Sequence, residues 1–226
     1  MNLNQHSDLK GTHALFSPSQ PSWLRYNGDK VVDKYMSQYR APIGTEIHDY
    51  AAAQIILGQK PSGIRNLKND IASFIFAKYK DDPKISDSFV KTIIFMMKQL
   101  PNEVFNNVKT YIEDAIGFKM VPEQIVYYSD YIFGTADALC FRNNTLRIHD
   151  LKTGALPAHM EQLLVYSALY CLEYDVKPGT IDFELRLYHT NGIEILNPTA
   201  EDIVPIVDQI ISISKIINKL NEEELS

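Results

Sequence analysis

The sequence predicts an α/β protein in which helices come first, three strands follow, and a helix then separates these from a fourth strand. Three observations carry this reading. Residues 64–80 and 87–117 place apolar side chains at helical spacing. Residues 124–151 hold apolar runs that read as strands. A helical pattern over 159–174 then gives way to an alternating run at 181–189.

Taken in order, the chain opens irregularly to about residue 27. A helix is expected near 30–39 and a second, carrying His48, to about residue 57, where Pro61-Ser62-Gly63 breaks it. Ile71, Phe74 and Ile75 share one helical stripe and Val90, Ile93, Ile94 and Met97 another, with Pro101 marking a boundary between helices. The stretch of about 60–118 therefore reads as a helical insertion, with Phe74, Phe76, Phe95, Met96 and Met97 expected in its core. Strands are expected over 124–129, 132–141 and 145–151, with Asn143-Asn144 as a tight turn between the last two. The fourth strand, 181–189, turns at Asn191-Gly192 into a short return over 193–196. Residues 199–225 begin with a capping threonine and carry Ile203, Ile206, Ile210, Ile213, Ile216, Ile217 and Leu220 at helical spacing, which predicts a docked terminal helix.

A chain of 226 residues that is 45% hydrophobic and 22% charged can bury a sizeable core, and a single domain over 1–226 is the expectation. No apolar run is long enough to cross a bilayer, and the first residues lack the basic start and apolar block of a signal peptide, so a cytoplasmic protein is expected. Cys140 and Cys171, one in a strand and one in a helix, read as small buried hydrophobes and not as a disulfide. The net charge of −6 argues against a broad nucleic-acid surface. Acids gathered at a metal site, and Glu222-Glu223-Glu224 near the end, account for part of it. Lys60, Arg65, Lys68, Lys91 and Lys98 could line a basic path or simply form solvated helix faces.

The chemistry concentrates in residues 134–154, GTADALCFRNNTLRIHDLKTG, where Asp137 stands thirteen positions before Asp150-Leu151-Lys152. Strand side chains alternate faces, so Asp150 and Lys152 share one. A hairpin at Asn143-Asn144 can bring Asp137 beside Asp150. Ionised carboxylates held together in an apolar sheet need a compensating cation or a raised pKa. Mg²⁺ or Mn²⁺ meets that need through one or two carboxylates, water and phosphate oxygens. Such an ion polarises a scissile phosphate and acidifies water, while Lys152 orients that water or stabilises the developing charge. Alone, an Asp-x-Lys triplet reads as a surface ion pair; its neighbours change that reading. Gln162 and Tyr166 sit four apart on one face of the following helix.

GTADAL, HDLKTG and QLLVY, in that order and spacing, resemble the RecB-like branch of the PD-(D/E)XK nuclease superfamily. The resemblance implies a restriction-endonuclease-like core, a mixed central sheet flanked by helices, over about 44–58 and 121–190. It assigns metal binding to Asp137, Asp150 and the Leu151 carbonyl, the catalytic lysine to Lys152, and DNA-backbone contacts to Gln162 and Tyr166. GTEIHDYAAAQIILG at 44–58 places His48 where the family often has a further metal ligand. Glu46 and Asp49 could instead be helix-start charges, and Glu123, just before the first core strand, is a weaker candidate. SPSQPSWLRY at 17–26 resembles the opening of several relatives but has Tyr26 where they carry a cysteine. With two cysteines against the four thiolates an iron–sulfur cluster usually needs, no cluster is expected.

The resemblance thus implies a Mg²⁺- or Mn²⁺-dependent DNA exonuclease acting on linear ends, single- or double-stranded, in recombination, repair or phage replication. Its setting would be a bacterial or phage-infected cell, with a recombination or helicase partner possible. A structure-specific endonuclease and a catalytically silent binding module are the alternatives.

Overall fold

The computed structural model describes residues 5–7, 11, 13–154 and 159–224. Within these the chain is mixed α/β, with four helices before a five-stranded sheet and two after its third strand. The helices are α1 (Gly28–Leu57), α2 (Ile64–Tyr79), α3 (Asp87–Gln99), α4 (Asn102–Phe118), α5 (Glu161–Glu173) and α6 (Ala200–Glu224). The strands are β1 (Val121–Ser129), β2 (Ile132–Arg142), β3 (Thr145–Leu151), β4 (Asp182–His189) and β5 (Gly192–Leu196). They run β1-β2-β3-β4-β5 across the sheet, with β3 and β4 parallel and every other pair antiparallel. The parallel pair requires a crossover, and α5 supplies it.

The two helices expected near 30–39 and around His48 are one. Asn27 caps α1 by accepting the Lys30 N–H at 2.9 Å, and the helix runs through Pro42 to Gly58, whose φ of 66° ends it. A proline inside a helix removes a backbone bond and crowds the preceding turn. Here the buried stripe Tyr39, Ile43, Ile47, Tyr50 continues at helical spacing across it, so packing overrides the local break. Glu46 and Asp49 consequently lie far inside α1 and are not helix-start charges. Pro101 does separate α3 from α4, as its place in the sequence suggests.

Two cores sandwich the sheet. Helices α1 to α4 bury one around Ile47, Leu67, Ile71, Ile93, Phe105 and Ile112, and α5 with α6 cover the other around Leu146, Ile148, Leu163, Leu169 and Leu185. Phe74 and Met96 pack against the first core and Met97 is fully buried, but Phe76 and Phe95 are 58% and 63% exposed, contrary to expectation. Each residue turns about 100° around a helix, so Phe76 falls one step off the Leu67, Ile71, Ile75 stripe and Phe95 lies off the Val90, Ile93, Met97 stripe. In α6, Thr199 donates its N–H and hydroxyl to Asp202 Oδ2 at 2.8 and 3.0 Å, half of a capping box. Ile203 and Ile210 dock this helix, whereas Ile213, Ile216 and Leu220 are exposed. Leu225, the expected end of the helix, lies outside the described residues. The second hairpin turns at Thr190-Asn191, one residue earlier than expected, because Gly192 already pairs with His189. No described helix is long and apolar enough to cross a membrane.

One buried ionisable group has a consequence for stability. His149 of β3 is fully buried, with Nδ1 3.2 Å from the Tyr188 hydroxyl. That hydroxyl donates to Asp114 at 2.7 Å, so its one proton is committed and Nδ1 must be the donor to it. Nε2 is then a bare lone pair, buried without a donor. Burial, then the charges of Arg186 and Arg147, push His149 down to about 3. A depressed histidine contributes stability that is whole above its unfolded value near 6.5 and is lost as pH falls toward 3. Its contribution should fall by about 2 kcal/mol between pH 6.5 and 4.5. Urea unfolding of His149→Gln across that window should lack this part of the slope, whatever the variant's absolute stability; an unchanged slope would contradict the assignment.

Candidate metal centre

Asp137 sits where three elements converge. Asn143 and Asn144 have φ of 51° and 61°, the left-handed pair a two-residue hairpin turn requires, and they close β2 onto β3 with Arg142 opposite Thr145. That register runs as far as Ala138 opposite His149, so Asp137 and Asp150 are the next residues beyond the ladder on the two strands. The Leu151 N–H donates to Asp137 Oδ2 at 2.8 Å. On the other side, β1 pairs Pro122 with Ala138 and Gln124 with Ala136, leaving Glu123 across from Asp137 in the gap of the ladder. Glu123 has a φ of 51°, a conformation uncommon for a side-chain-bearing residue and often found at functional sites. Ala136 belongs to the α5–α6 core and Ala138 to the α1–α4 core, so the strand changes layers at Asp137.

Helix α1 lays His48 against this point, with Nδ1 3.4 Å from Asp137 Oδ2, long for a well-formed bond. Donor atoms of His48, Glu123 and Asp137 lie within 4.8 Å of one another, the one such group found among the described residues. Trans ligands of an octahedral Mg²⁺ are about 4.2 Å apart, so a small closing of the group would bring it to the span of a small divalent ion. Asp150 stands beside this group and not within it. It is almost wholly buried, and Lys152 Nζ lies 3.0 Å from Oδ1 and 2.8 Å from Oδ2. Only the contact to Oδ1 has hydrogen-bond geometry, which leaves Oδ2 buried with charge nearby but no donor. The Lys152 ammonium already compensates this oxygen electrostatically at 2.8 Å, and a cation would be a second partner for it.

The electrostatics agree. Burial, then the Asp137 charge, raise the Asp150 carboxyl above its ordinary value against the opposing pull of Lys152. Burial, then Asp137, raise Glu123 as well. Burial lowers His48, but its contact with Asp137 and the charges of Asp137, Asp150 and Glu123 outweigh that and leave it raised. Each shift says that this spot holds too much negative charge for its surroundings. A divalent cation would relieve it, and His48 would ligate such an ion in its neutral form.

Lys152 links the acids to α5. Its Nζ also donates to Gln162 Oε1 at 3.1 Å, and Gln162 Nε2 donates to the Tyr166 hydroxyl at 2.9 Å. The Lys152 N–H is anchored to the Tyr188 carbonyl at 2.7 Å. Gln162 and Tyr166, for which the sequence suggests DNA contacts, hold the lysine in place in the structure. A cavity of about 370 Å³ opens here, lined by His48, Lys152, Thr153, His159 and Gln162. Tyr166 reaches its place because Gly134 carries no side chain: a Cβ there would come 2.7 Å from Tyr166 Cε1. Gly134→Ala should therefore destabilise by about 1–3 kcal/mol, as overpacking does, and loosen the Gln162 contact to Lys152. Thermal denaturation checks this, and an unaltered midpoint would show that the ring moves freely.

Several residues are assigned differently by the structure than by the sequence. Glu123 lies inside β1 and belongs to the tight donor group. Glu46 is buried and, with Asp49, receives Lys78, whose Nζ sits 2.8 and 3.0 Å from the Glu46 oxygens and 2.7 Å from Asp49; Tyr79 also donates to Glu46 at 2.5 Å. These two acids lock α1 to α2 on either side of His48 in sequence. Lys68 donates to the Lys98 and Leu100 carbonyls and Lys98 to Asn69, so both tie helices together. Tyr111 of α4 is a residue no local signal marks. Burial, then the charges of Asp137, Glu123 and Asp150, push its phenol well above the usual range. Cys140 and Cys171 are buried free thiols, as expected.

A family model described as "Protein of unknown function (DUF2800)" matches residues 13–174. The chain belongs to this family. The DUF2800 match contains every candidate site residue, from His48 to Tyr166, and stops before β4. No curated protein and no solved structure matches the chain.

Proposed function

We propose that this DUF2800 protein is a metal-dependent deoxyribonuclease of the RecB-like type, an exonuclease trimming DNA ends in the cytoplasm of a bacterial or phage-infected cell. The observation that carries the reading is the donor group of His48, Glu123 and Asp137 set beside the buried Asp150 carboxylate and its Lys152 partner. His48, Glu123, Asp137 and Asp150, with the Leu151 carbonyl, would hold Mg²⁺ or Mn²⁺. Bound there, the ion supplies positive charge toward a phosphodiester oxygen and lowers the pKa of nearby water.

The remaining work falls to the chain. Lys152 keeps an ammonium at the cavity wall, held between Asp150 and Gln162, where it can orient water or stabilise charge building on the phosphate. Gln162 and Tyr166 fix that ammonium and present amide and hydroxyl groups to a backbone. The Leu151 N–H fixes the Asp137 carboxylate. Preorganisation of this kind is what phosphodiester hydrolysis asks of a protein.

The test is a time course on end-labelled linear duplex and single-stranded DNA with Mn²⁺, run beside Asp150→Asn. Loss of label in the wild type alone supports the reading. A circular single strand left intact supports exonuclease action, and its cleavage would reassign the protein as an endonuclease. No Mn²⁺-dependent cleavage of any of the three would overturn the proposal.

A further inference from the structure

We propose that a second pocket, between β1–β2 and the end of α5, binds the bases of a single-stranded nucleic acid whose backbone reaches the metal centre. The inference rests on the nuclease reading for its choice of occupant. The cavity measures about 280 Å³, and Lys119, Gln124, Phe141, Arg142, Tyr170 and Tyr174 line it, the rest being aliphatic or thiol.

Three rings form its wall. Tyr170 is buried, with the Phe141 ring 5.8 Å from it on one side and the Tyr174 ring 4.6 Å from it on the other. Phe141 and Tyr174 are 42% and 52% exposed, so Tyr170 props two rings toward solvent. Exposed aromatic faces beside cations are how proteins hold unpaired bases: every base has a π-face, and the cations track the phosphates. Lys119 and Arg142 are both exposed, and neither has an ion-pair partner among the described residues. No carboxylate lines the pocket. In a chain of net charge −6 that is a local reversal of sign, complementary to a polyanion.

Position adds a second argument. Phe141 lies on the same strand as Asp137, four residues on, or about 13 Å at about 3.3 Å per residue. That is about four nucleotides at a stacked rise of about 3.4 Å. A strand stacked on Phe141 and Tyr174 would thus place a linkage a few nucleotides away beside the acids. Duplex bases are already stacked on one another and offer no free face, so the pocket selects single strands.

Binding in EDTA separates this inference from the cleavage reaction. The probe is a fluorescein-labelled single strand of about 12 nucleotides, with the duplex of the same sequence in a parallel arm and fluorescence anisotropy as the readout. Phe141→Ala and Tyr174→Ala should each weaken single-strand binding about tenfold and leave duplex binding unchanged. Lys119→Gln and Arg142→Gln, both at exposed positions, should each reduce the salt slope by about 0.7. Single-strand affinity unchanged in both aromatic variants, or an equal loss for the duplex, overturns the inference even if Mn²⁺-dependent cleavage is found. A tenfold single-strand loss upholds the pocket even if no cleavage is found, in which case only the nuclease reading falls.

Discussion

Lys152→Ala is expected to lower Mn²⁺-dependent cleavage of linear DNA by about a hundred- to a thousandfold, the usual cost of deleting one group that stabilises developing charge. DNA binding should remain largely intact. The geometry explains why the two effects separate. Lys152 Nζ is spent inside the site, on Asp150 and on Gln162, and not on an outer surface that gathers DNA. Its backbone N–H keeps the bond to the Tyr188 carbonyl in the variant, so the chain after β3 should hold its course. What vanishes is the ammonium at the cavity wall and the one hydrogen bond that Asp150 receives from a side chain. Single-turnover cleavage beside anisotropy titration in EDTA measures both quantities. A variant that cuts at the wild-type rate would remove Lys152, and the role assigned to it, from the mechanism.

The second large effect is on stability. At a Mn²⁺ concentration about a hundredfold above its dissociation constant, an ion that binds only the folded chain stabilises it by about 2.7 kcal/mol. For a protein of this size that is a rise of several degrees in melting temperature. The driving force is charge held in a partly desolvated spot: burial, then the Asp137 charge, raise the carboxyl pKa of Asp150 and of Glu123, and a bound cation would offset both effects. Asp137→Asn keeps an oxygen to accept the Leu151 N–H but loses the charge at the centre of the donor group. Its melting temperature should therefore respond to Mn²⁺ hardly at all. Thermal denaturation with and without Mn²⁺, for both proteins, decides the matter; an equal rise in both would mean the ion binds elsewhere.

Much of this was legible in the sequence because it is local. The Asn143-Asn144 turn follows from two residues that tolerate left-handed backbone, and with it comes the pairing that brings Asp137 and Asp150 to the same end of the hairpin. Asp150 and Lys152 share a face by the alternation of a strand. Gln162 and Tyr166 share one by helical spacing, and the structure joins them by a hydrogen bond. The Thr199 helix start and the Pro101 break are equally short-range.

Other features answer to contacts that no local pattern encodes. The sequence suggests two helices between residues 30 and 57, yet α1 runs unbroken through Pro42 because Tyr39, Ile43 and Ile47 are buried on either side. Phe76 and Phe95 read as core by composition, and the angular position of each on its helix leaves it in solvent. Glu123 looked peripheral until its place in the ladder, opposite Asp137 at a positive φ, made it part of the donor group. Tyr111 and Lys78 arrive at their positions from separate helices. The amino-acid order by itself determined the hairpin that brings Asp137 near Asp150 and the faces that Asp150 shares with Lys152 and Gln162 with Tyr166, since alternation and turn preference act over a few residues. Only the tertiary structure decided that His48 and Glu123 close around Asp137 while Asp150 is drawn aside by Lys152. Those distances depend on how two cores of packed helices press on the two faces of one sheet.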